Sequence, residues 1–255
     1  MNRSVQHYLD LIIVITQKEL KSKYKNNVLG YFWSIAHPLA FAVVFYIAFK
    51  IVIKIPLQDY MVFLISGLFP WQWLATSVGT APTVFLANVS IIKKVNFPRN
   101  IIPLTIVLQD MIHFVLSIPV IVLFMLIYDI TPGWIWLVGI PLLLIIQFIF
   151  IYGIALAISS LNLFFRDLER LTGIFITLAF YFTPIIYPET MIPAKYVKLV
   201  NLNPLTPLMV SWRNLFLHNQ LDFMQLTISL SYALLFLAIG LIIYKKLSWK
   251  FAEVL

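Results

Sequence analysis

The sequence contains no cysteine among its 255 residues. Without thiols the chain can form neither a disulfide framework nor a thiolate metal site. Its four histidines share no spacing typical of metal ligands; they are His7, His37, His113 and His218. We therefore expect no metal or redox centre in this chain.

Charged residues are also scarce, at 11% of the chain, whereas 62% of the residues are hydrophobic and the mean hydropathy is +0.95. A soluble fold of this size could not tolerate so much apolar surface. The composition predicts an all-α integral membrane protein in which residues 1–255 form a single membrane domain. The net charge of +8 arises from basic residues between the apolar runs, so we expect no nucleic-acid partner.

The sequence lacks the motif G-x-x-x-x-G-K-[ST], the phosphate-binding loop of many nucleotide hydrolases. We therefore expect no nucleotide hydrolysis by this chain, and neither a carboxylate pair nor a Ser/His/Asp arrangement predicts an enzyme. Ionisable residues are nearly absent from the apolar runs. Asp110 and His113, spaced i and i+3, are either part of a proton relay or, more commonly for such a pair, hydrogen-bonding groups between helices.

Six apolar runs approach the ~20 residues that a helix needs to cross a membrane. They are Leu29 to Phe49, Tyr60 to Thr80, Leu104 to Tyr128, Trp134 to Ser160, Leu171 to Tyr187 and Leu226 to Tyr244. The fifth run is short and has proline near its end. The chain thus divides into an interfacial part (1–28), spans one to five (29–187), an intervening segment (188–222), and span six with its tail (223–255).

The segment 188–222 is interrupted by Pro193, Pro204 and Pro207 and carries apolar pieces that are too short to cross. This pattern predicts external re-entrant helices that cap an exit. An ordered external loop without a gating role fits the same pattern.

Most of the eighteen Lys and Arg residues lie on one side of the predicted spans. By the positive-inside rule that side is cytoplasmic, so both termini are expected in the cytoplasm and the protein in the inner membrane. The cytoplasmic set is Arg3, Lys18, Lys21, Lys23, Lys25, Lys93, Lys94, Arg99, Arg166, Arg170, Lys245, Lys246 and Lys250. The external set is Lys50, Lys54, Lys195, Lys198 and Arg213.

The first residues have the pattern of an amphipathic helix that lies in the membrane interface. Apolar side chains recur at helical spacing at Val5, Tyr8, Leu9, Ile12 and Ile13. The apolar run is followed by KELKSKYK rather than by a small-residue cleavage site, so a secretory signal is not expected.

Between the second and third runs lies a short basic amphipathic segment, Ala87 to Pro103, which we call the elbow. Its polar residues are Asn88, Lys93, Lys94 and Asn96, and its apolar residues are Ile91, Ile92, Val95 and Phe97. Pro98 then ends the segment, since proline disfavours helix in the residue before it. The pattern predicts a helix of one or two turns with a face for docking. An interfacial loop whose lysines bind lipid phosphates is the simpler alternative from composition alone.

Several short motifs occur in an order and spacing that resemble one known family. They are Tyr24-Lys25, Leu29-Gly30, Trp33, Pro38-Leu39, Gly67-Leu68-Phe69-Pro70-Trp71, Asn88 with Ile91-Ile92-Lys93-Lys94-Val95, Phe97-Pro98-Arg99 and Pro103, Asn162, Phe165-Arg166-Asp167, Phe182-Thr183-Pro184-Ile185, Tyr187-Pro188, Asn203-Pro204 and Arg213. Together they resemble the permease subunits of type-two ABC exporters for O-antigen and other cell-surface polysaccharides, the Wzm type. The resemblance covers nearly the whole chain.

The resemblance implies that the elbow is a coupling helix seated in a cleft of a separate ATPase subunit, which binds ATP and Mg²⁺. Two copies of the chain would form a homodimer above two ATPase subunits. Lys93 and Lys94 suit an acidic rim of that cleft, and Phe97 suits an apolar pocket. The implied coupling residues are Asn88, Ile91, Ile92, Lys93, Lys94, Val95, Phe97, Arg166 and Asp167.

Aromatic side chains in spans one and five are candidates for the channel lining, because sugar rings pack on aromatic faces. They are Phe41, Phe45, Tyr46, Phe49, Phe175, Tyr181 and Phe182. Aromatic residues also face lipid and pack between helices, so each of these has a purely structural alternative.

We therefore expect a permease that moves a lipid-linked polysaccharide out of the cytoplasm with a partner ATPase. Export of teichoic acid, capsule or a small amphiphile is an alternative within transport. A gradient-driven flippase and a membrane scaffold without transport activity are alternatives of other classes.

Overall fold

The computed structural model describes residues 3–24, 32–57, 59–95 and 97–254, and helices are the only regular elements in those ranges. An apolar chain in hydrocarbon satisfies its backbone within a helix, which explains why the apolar runs adopt this form. Lys25, Leu29, Gly30 and Asn96, which the sequence motifs include, lie outside the described residues.

The helices are numbered in chain order. They are α1 (Arg3–Tyr24), α2 (Phe32–Phe45, continued by a π-helix at Tyr46–Val52), α3 (Tyr60–Thr80), α4 (Val84–Ala87), α5 (Val89–Lys94), α6 (Ile101–Ile127), α7 (Trp136–Asn162), α8 (Leu168–Phe182), α9 (Ala194–Asn201), α10 (Leu205–His218), α11 (Phe223–Leu247) and α12 (Phe251–Val254). Short 3₁₀ turns lie at Ala81–Thr83, Glu189–Met191 and Ser248–Lys250.

Four helical stretches are long and apolar enough to cross a membrane: Tyr60–Ala87, Ile101–Ile127, Trp136–Asn162 and Phe223–Lys250. They contain the predicted second and sixth spans, and they cover the third except for Tyr128 and the fourth except for Trp134 and Ile135. The first predicted span begins outside the described residues and continues as α2 with 14 residues and its π-helix with 7, whereas α8, in the fifth, has 15. Length and composition therefore establish four candidate spans, and six spans stay a prediction.

The closest helix pair is α7 with α11, and two glycines allow its approach. A Cβ atom placed on Gly153 would lie 2.5 Å from the carbonyl carbon of Phe236 and would also meet the backbone nitrogen of Leu237. A Cβ atom on Gly240 would meet the carbonyl oxygen of Gly153. Small residues at such crossings let two membrane helices touch along their backbones.

Helix α8 packs on α3 and α7, and most of its residues are exposed. Thr172 is its one buried residue, and a Cβ atom on Gly173 would meet nothing within 4 Å. The helix ends because Pro184 follows: Thr183, the residue before the proline, is extended, with φ −97° and ψ 137°. Fifteen residues span only ~22 Å of helix, less than the ~30 Å hydrocarbon core.

The segment 188–222 contains one exposed and one buried helix. Helix α9 has no buried residue, whereas α10 is buried along most of its length and packs against α3, α7 and α11. Helix α10 has 14 residues, so it is a buried helix too short to cross the membrane. The charge count treated Arg213 as an external loop cation, but the structure buries this side chain in α10 with 6% of its surface exposed.

We predict that Gly153→Ala lowers the unfolding temperature of the purified protein. The added methyl group would push α7 and α11 apart, and such overpacking costs about 1–3 kcal/mol. Gly173→Ala is the matched control, because its methyl group meets open space and replacing a helical glycine gains at most about 1 kcal/mol. A thermal-shift measurement in detergent checks this, and equal unfolding temperatures for the two variants would contradict the close crossing.

Candidate functional site

The elbow follows directly from the end of α3 through a 3₁₀ turn at Ala81–Thr83. Asn88 leaves the helical conformation, with φ −110° and ψ 17°, and so separates α4 from α5. Val95 is extended, Pro98 follows, and α6 begins at Ile101. The elbow is therefore a short helix, α5, held between two long candidate spans.

Asn88 joins the elbow to α1. Its side chain is buried, donates to the carbonyl of Val84 at 3.2 Å and accepts from the ammonium group of Lys18 at 2.9 Å. Lys18 also pairs with Glu19 at 3.0 Å. Because hydrogen bonds to charged groups are worth about 1.5–3 kcal/mol, this contact fixes α1 against the start of α5.

The apolar face of the elbow packs on a small cluster that is separate from the main core. The buried members of this cluster are Ile15, Val84, Phe85, Ile92, Phe97, Ile101, Ile102, Leu163 and Phe251. Phe97 is only 8% exposed. A contact between Phe97 and a pocket of a partner, which the sequence predicts, would therefore require its ring to leave this cluster.

The outer face of the elbow is basic. Lys93, Lys94 and Val95 are exposed, and Ile91 is half-buried. A shallow depression of about 250 Å³ lies here, lined by Ile92, Lys93, Lys94, Val95, Phe97 and Arg99. Its lining contains three cations and no carboxylate, so it is electrostatically complementary to an acidic surface.

The loop between α7 and α8 lies beside the elbow. Asn162 donates to the carbonyl of Pro82 at 2.8 Å, and Leu163 belongs to the same apolar cluster as Ile92. Arg166 and Asp167, the other predicted coupling residues, are both exposed. The structure thus brings the start of this loop, at Leu163, and the elbow into one apolar cluster.

Asn100 is a connecting residue that the sequence analysis did not single out. It precedes α6, where its backbone N–H donates to the hydroxyl of Tyr244 at 3.1 Å. Its amide lies 3.4 Å from the hydroxyls of Tyr8 and of Tyr152. An asparagine just before a long apolar run is a typical helix-start signal, but nothing in the sequence marks its three tyrosine partners.

The candidate channel-lining aromatics divide into two groups. Phe41, Phe175, Tyr181 and Phe182 are exposed, whereas Phe45, Tyr46 and Phe49 are half-buried against the core. Helices α2 and α8 are in contact through the rings of Phe45 and Phe180, whose centroids are 5.5 Å apart. An exposed aromatic face is open to lipid, to a second copy or to a channel, so the lining role stays a prediction.

Asp110 and His113 are both buried in α6. Asp110 accepts a hydrogen bond from the hydroxyl of Ser77 in α3 at 2.9 Å. This contact is of the inter-helix kind that the sequence analysis weighed against a proton relay. In the described ranges, no three His, Asp or Glu residues are grouped so that they could hold a metal ion.

The sequence was compared with known families and proteins. A family model described as "ABC-2 type transporter" matches residues 10–217. The chain is 46% identical to an O-antigen export system permease protein RfbA of Klebsiella pneumoniae over 255 residues, which cover 100% of this chain and 98% of the relative. Another permease of that name and organism is 45% identical over the same shares of both chains. A third, from Myxococcus xanthus, is 30% identical over 86% of this chain and 85% of the relative.

We predict that Asn88→Ala increases hydrogen exchange at the backbone amides of α5 by about tenfold, because the helix loses its contacts to Val84 and Lys18. Ser90→Ala is the matched control, since Ser90 is exposed on the same helix. Exchange measured by mass spectrometry on peptides covering residues 84–95 checks this. Unchanged exchange in Asn88→Ala would show that the apolar cluster alone holds α5.

Proposed function

The chain belongs to the ABC-2 type transporter family, and from this premise we propose that it is the permease subunit of an ATP-driven exporter of lipid-linked O-antigen or a similar polysaccharide. The observation that carries the proposal is the identity of 45–46% over the whole chain to two O-antigen export permeases. The subunit moves its substrate and changes no covalent bond in it.

Energy comes from a separate ATPase subunit, present in two copies, which carries the ATP and Mg²⁺. The sequence of the permease has no phosphate-binding loop, which supports this division of labour. The elbow docks into the ATPase through its exposed basic face, Lys93 and Lys94, with Arg166 and Asp167 beside it. Three cations around a shallow depression support a contact with an acidic cleft rim.

Closure of the ATPase subunits on ATP moves the elbow, and its contacts carry that movement into the membrane. Asn88 connects the elbow to α1. Asn162 of α7 donates to the carbonyl of Pro82, in the 3₁₀ turn that precedes the elbow. At its other end, Asn100 connects it to the tyrosines of α1, α7 and α11. A displacement of α5 therefore reaches several membrane helices together.

Two copies of the chain form a homodimer in the inner membrane, with the polysaccharide passing between them. Each copy has six spans, of which α2 with its π-helical continuation is the first and α8 the fifth, and both termini are cytoplasmic. Packing of the long helices against one another within one copy supports a passage between copies. The aromatic faces of α2 and α8, including Phe41, Phe175 and Tyr181, line it, because aromatic rings pack on sugar rings without a tight stop.

We predict that Lys93→Glu/Lys94→Glu abolishes co-purification with the ATPase subunit and ATP-dependent export. Reversing both charges places like charges across the interface, which we expect to weaken binding by at least about 100-fold. Affinity purification followed by an ATPase assay measures the effect. Phe97 is left unchanged, because its burial makes a folding defect the simpler outcome of its truncation.

The control for this prediction is Lys195→Glu/Lys198→Glu, which makes the same charge change on α9. We expect the control to bind the ATPase normally, since α9 is assigned to the opposite side of the membrane. If Lys93→Glu/Lys94→Glu binds the ATPase and exports like the wild type, the elbow does not dock there.

A further inference from the structure

The chain between α8 and α9 is held by side chains of other elements. Thr183 and Pro184 interrupt the helix, so the carbonyl groups that follow have no partner within α8. Arg213 of α10 donates to the carbonyl of Pro184 at 2.7 Å and to that of Ile185 at 3.0 Å. The hydroxyl of Tyr60 in α3 donates to the carbonyl of Ile186 at 2.8 Å. Two consecutive carbonyls are thus held by one guanidinium group.

The site of Arg213 is closely fitted to that group. The guanidinium carbon lies 3.8 Å from the centre of the Phe63 ring, a cation–π contact. A Cβ atom on Gly67 would lie 2.9 Å from Nη2 of Arg213, so a larger residue at this position would displace the guanidinium. Among the described residues, no Asp or Glu forms an ion pair with Arg213.

A buried cation whose hydrogen bonds go to carbonyl groups carries a large desolvation cost, which the electrostatic attraction of the Glu189 carboxylate offsets only in part. A neutral donor could satisfy the same carbonyls at lower cost. What arginine adds is a planar fork that binds two carbonyls at once in one fixed geometry. Arg213 therefore fixes the position of the chain at the end of α8, which a residue selected only for folding stability would not need to do.

The two helices that Arg213 joins differ in how firmly they are held. Helix α10 is fixed by two further contacts: the indole of Trp212 donates to Gln147 at 2.5 Å, and the indole of Trp136 donates to the carbonyl of Leu215 at 3.0 Å. Helix α8 is exposed on most of its surface. The chain at the end of α8 is buried at Thr183 and Ile185, and Asn203 donates to the hydroxyl of Thr183 at 2.9 Å. Arg213 adds a link from the firmly held α10 to this end of the mostly exposed α8.

We propose that Arg213 is a positioning residue for transport: it clamps the outer end of α8 to α10 and so sets the width of the channel exit. This inference rests on the proposed function, in which α8 lines the passage between two copies. While Arg213 holds this contact, α8 and the segment 188–222 move as one unit. Without it, the end of α8 moves independently and the exit no longer closes tightly.

Three variants test the clamp. Arg213→Lys keeps the charge but loses the fork, and Gly67→Ala keeps Arg213 but displaces its guanidinium. Trp73→Phe is the matched control, because it removes a buried indole donor to the carbonyl of Val107 in α6, at 3.2 Å, and leaves the hydrogen bonds of α8 and α10 in place. Unfolding temperatures of all three variants are measured first, so that any loss of stability common to them is known.

The first readout is the passive leak of a small anionic dye from phosphatidylethanolamine and phosphatidylglycerol vesicles that contain the complex of the permease with its ATPase. We expect Arg213→Lys and Gly67→Ala to leak several times faster than the wild type without ATP. Trp73→Phe should retain the leak rate of the wild type.

The second readout does not depend on transport. Because the chain has no cysteine, spin labels at Phe182→Cys and His218→Cys report the distance between the ends of α8 and α10. Both positions are exposed, so labels are accommodated. We expect a narrow distance distribution in the wild type and in Trp73→Phe, and a broad one in Arg213→Lys and Gly67→Ala.

The proposed role of Arg213 requires that the wild type exports with ATP. It is then overturned if either Arg213→Lys or Gly67→Ala keeps the wild-type rate of dye leak or the narrow distance distribution. If the wild type does not export, the proposed function and the channel role of Arg213 both fail. The label distances then still show whether Arg213 holds α8 on α10, which separates the two failures.

Discussion

The hydrocarbon interior offers no hydrogen-bond partners, so every interruption of a membrane helix must be satisfied by the protein itself. Where α8 ends at Pro184, Arg213 of α10 donates to the carbonyl of that proline. Two further buried side chains donate to proline carbonyls of other elements: Gln147 to Pro70, and Asn162 to Pro82. Each of these contacts joins two elements that are distant in the sequence.

This constraint explains which parts of the fold the sequence predicts. Helices α3, α6, α7 and α11 follow from their long apolar runs, and Pro184 indicates why α8 ends early. The burial of Arg213 is different, because its partners are backbone carbonyls, which every residue offers. The crossing at Gly153 and Gly240 likewise joins positions far apart in sequence, and a single glycine in a helix has no unique meaning.

The sequence predicts only part of the candidate site, again because it does not identify the partners of each contact. The amphipathic pattern of the elbow indicates one apolar face, but it does not say whether that face packs on the same chain or on a partner. The structure places Ile92 and Phe97 in a cluster with residues from both ends of the chain, including Ile15 and Phe251. The basic face stays exposed. The elbow thus presents lysines at the surface and is anchored beneath by its own apolar side chains.

In the proposed function, ATP hydrolysis by a separate ATPase subunit moves the polysaccharide past this chain. The most direct measurement places the purified permease and ATPase in sealed vesicles with a lipid-linked polysaccharide and follows its movement across the membrane. We expect movement that requires ATP and persists when an ionophore abolishes ion gradients. Movement without the ATPase that stops with the ionophore would contradict the claim and indicate a gradient-driven flippase.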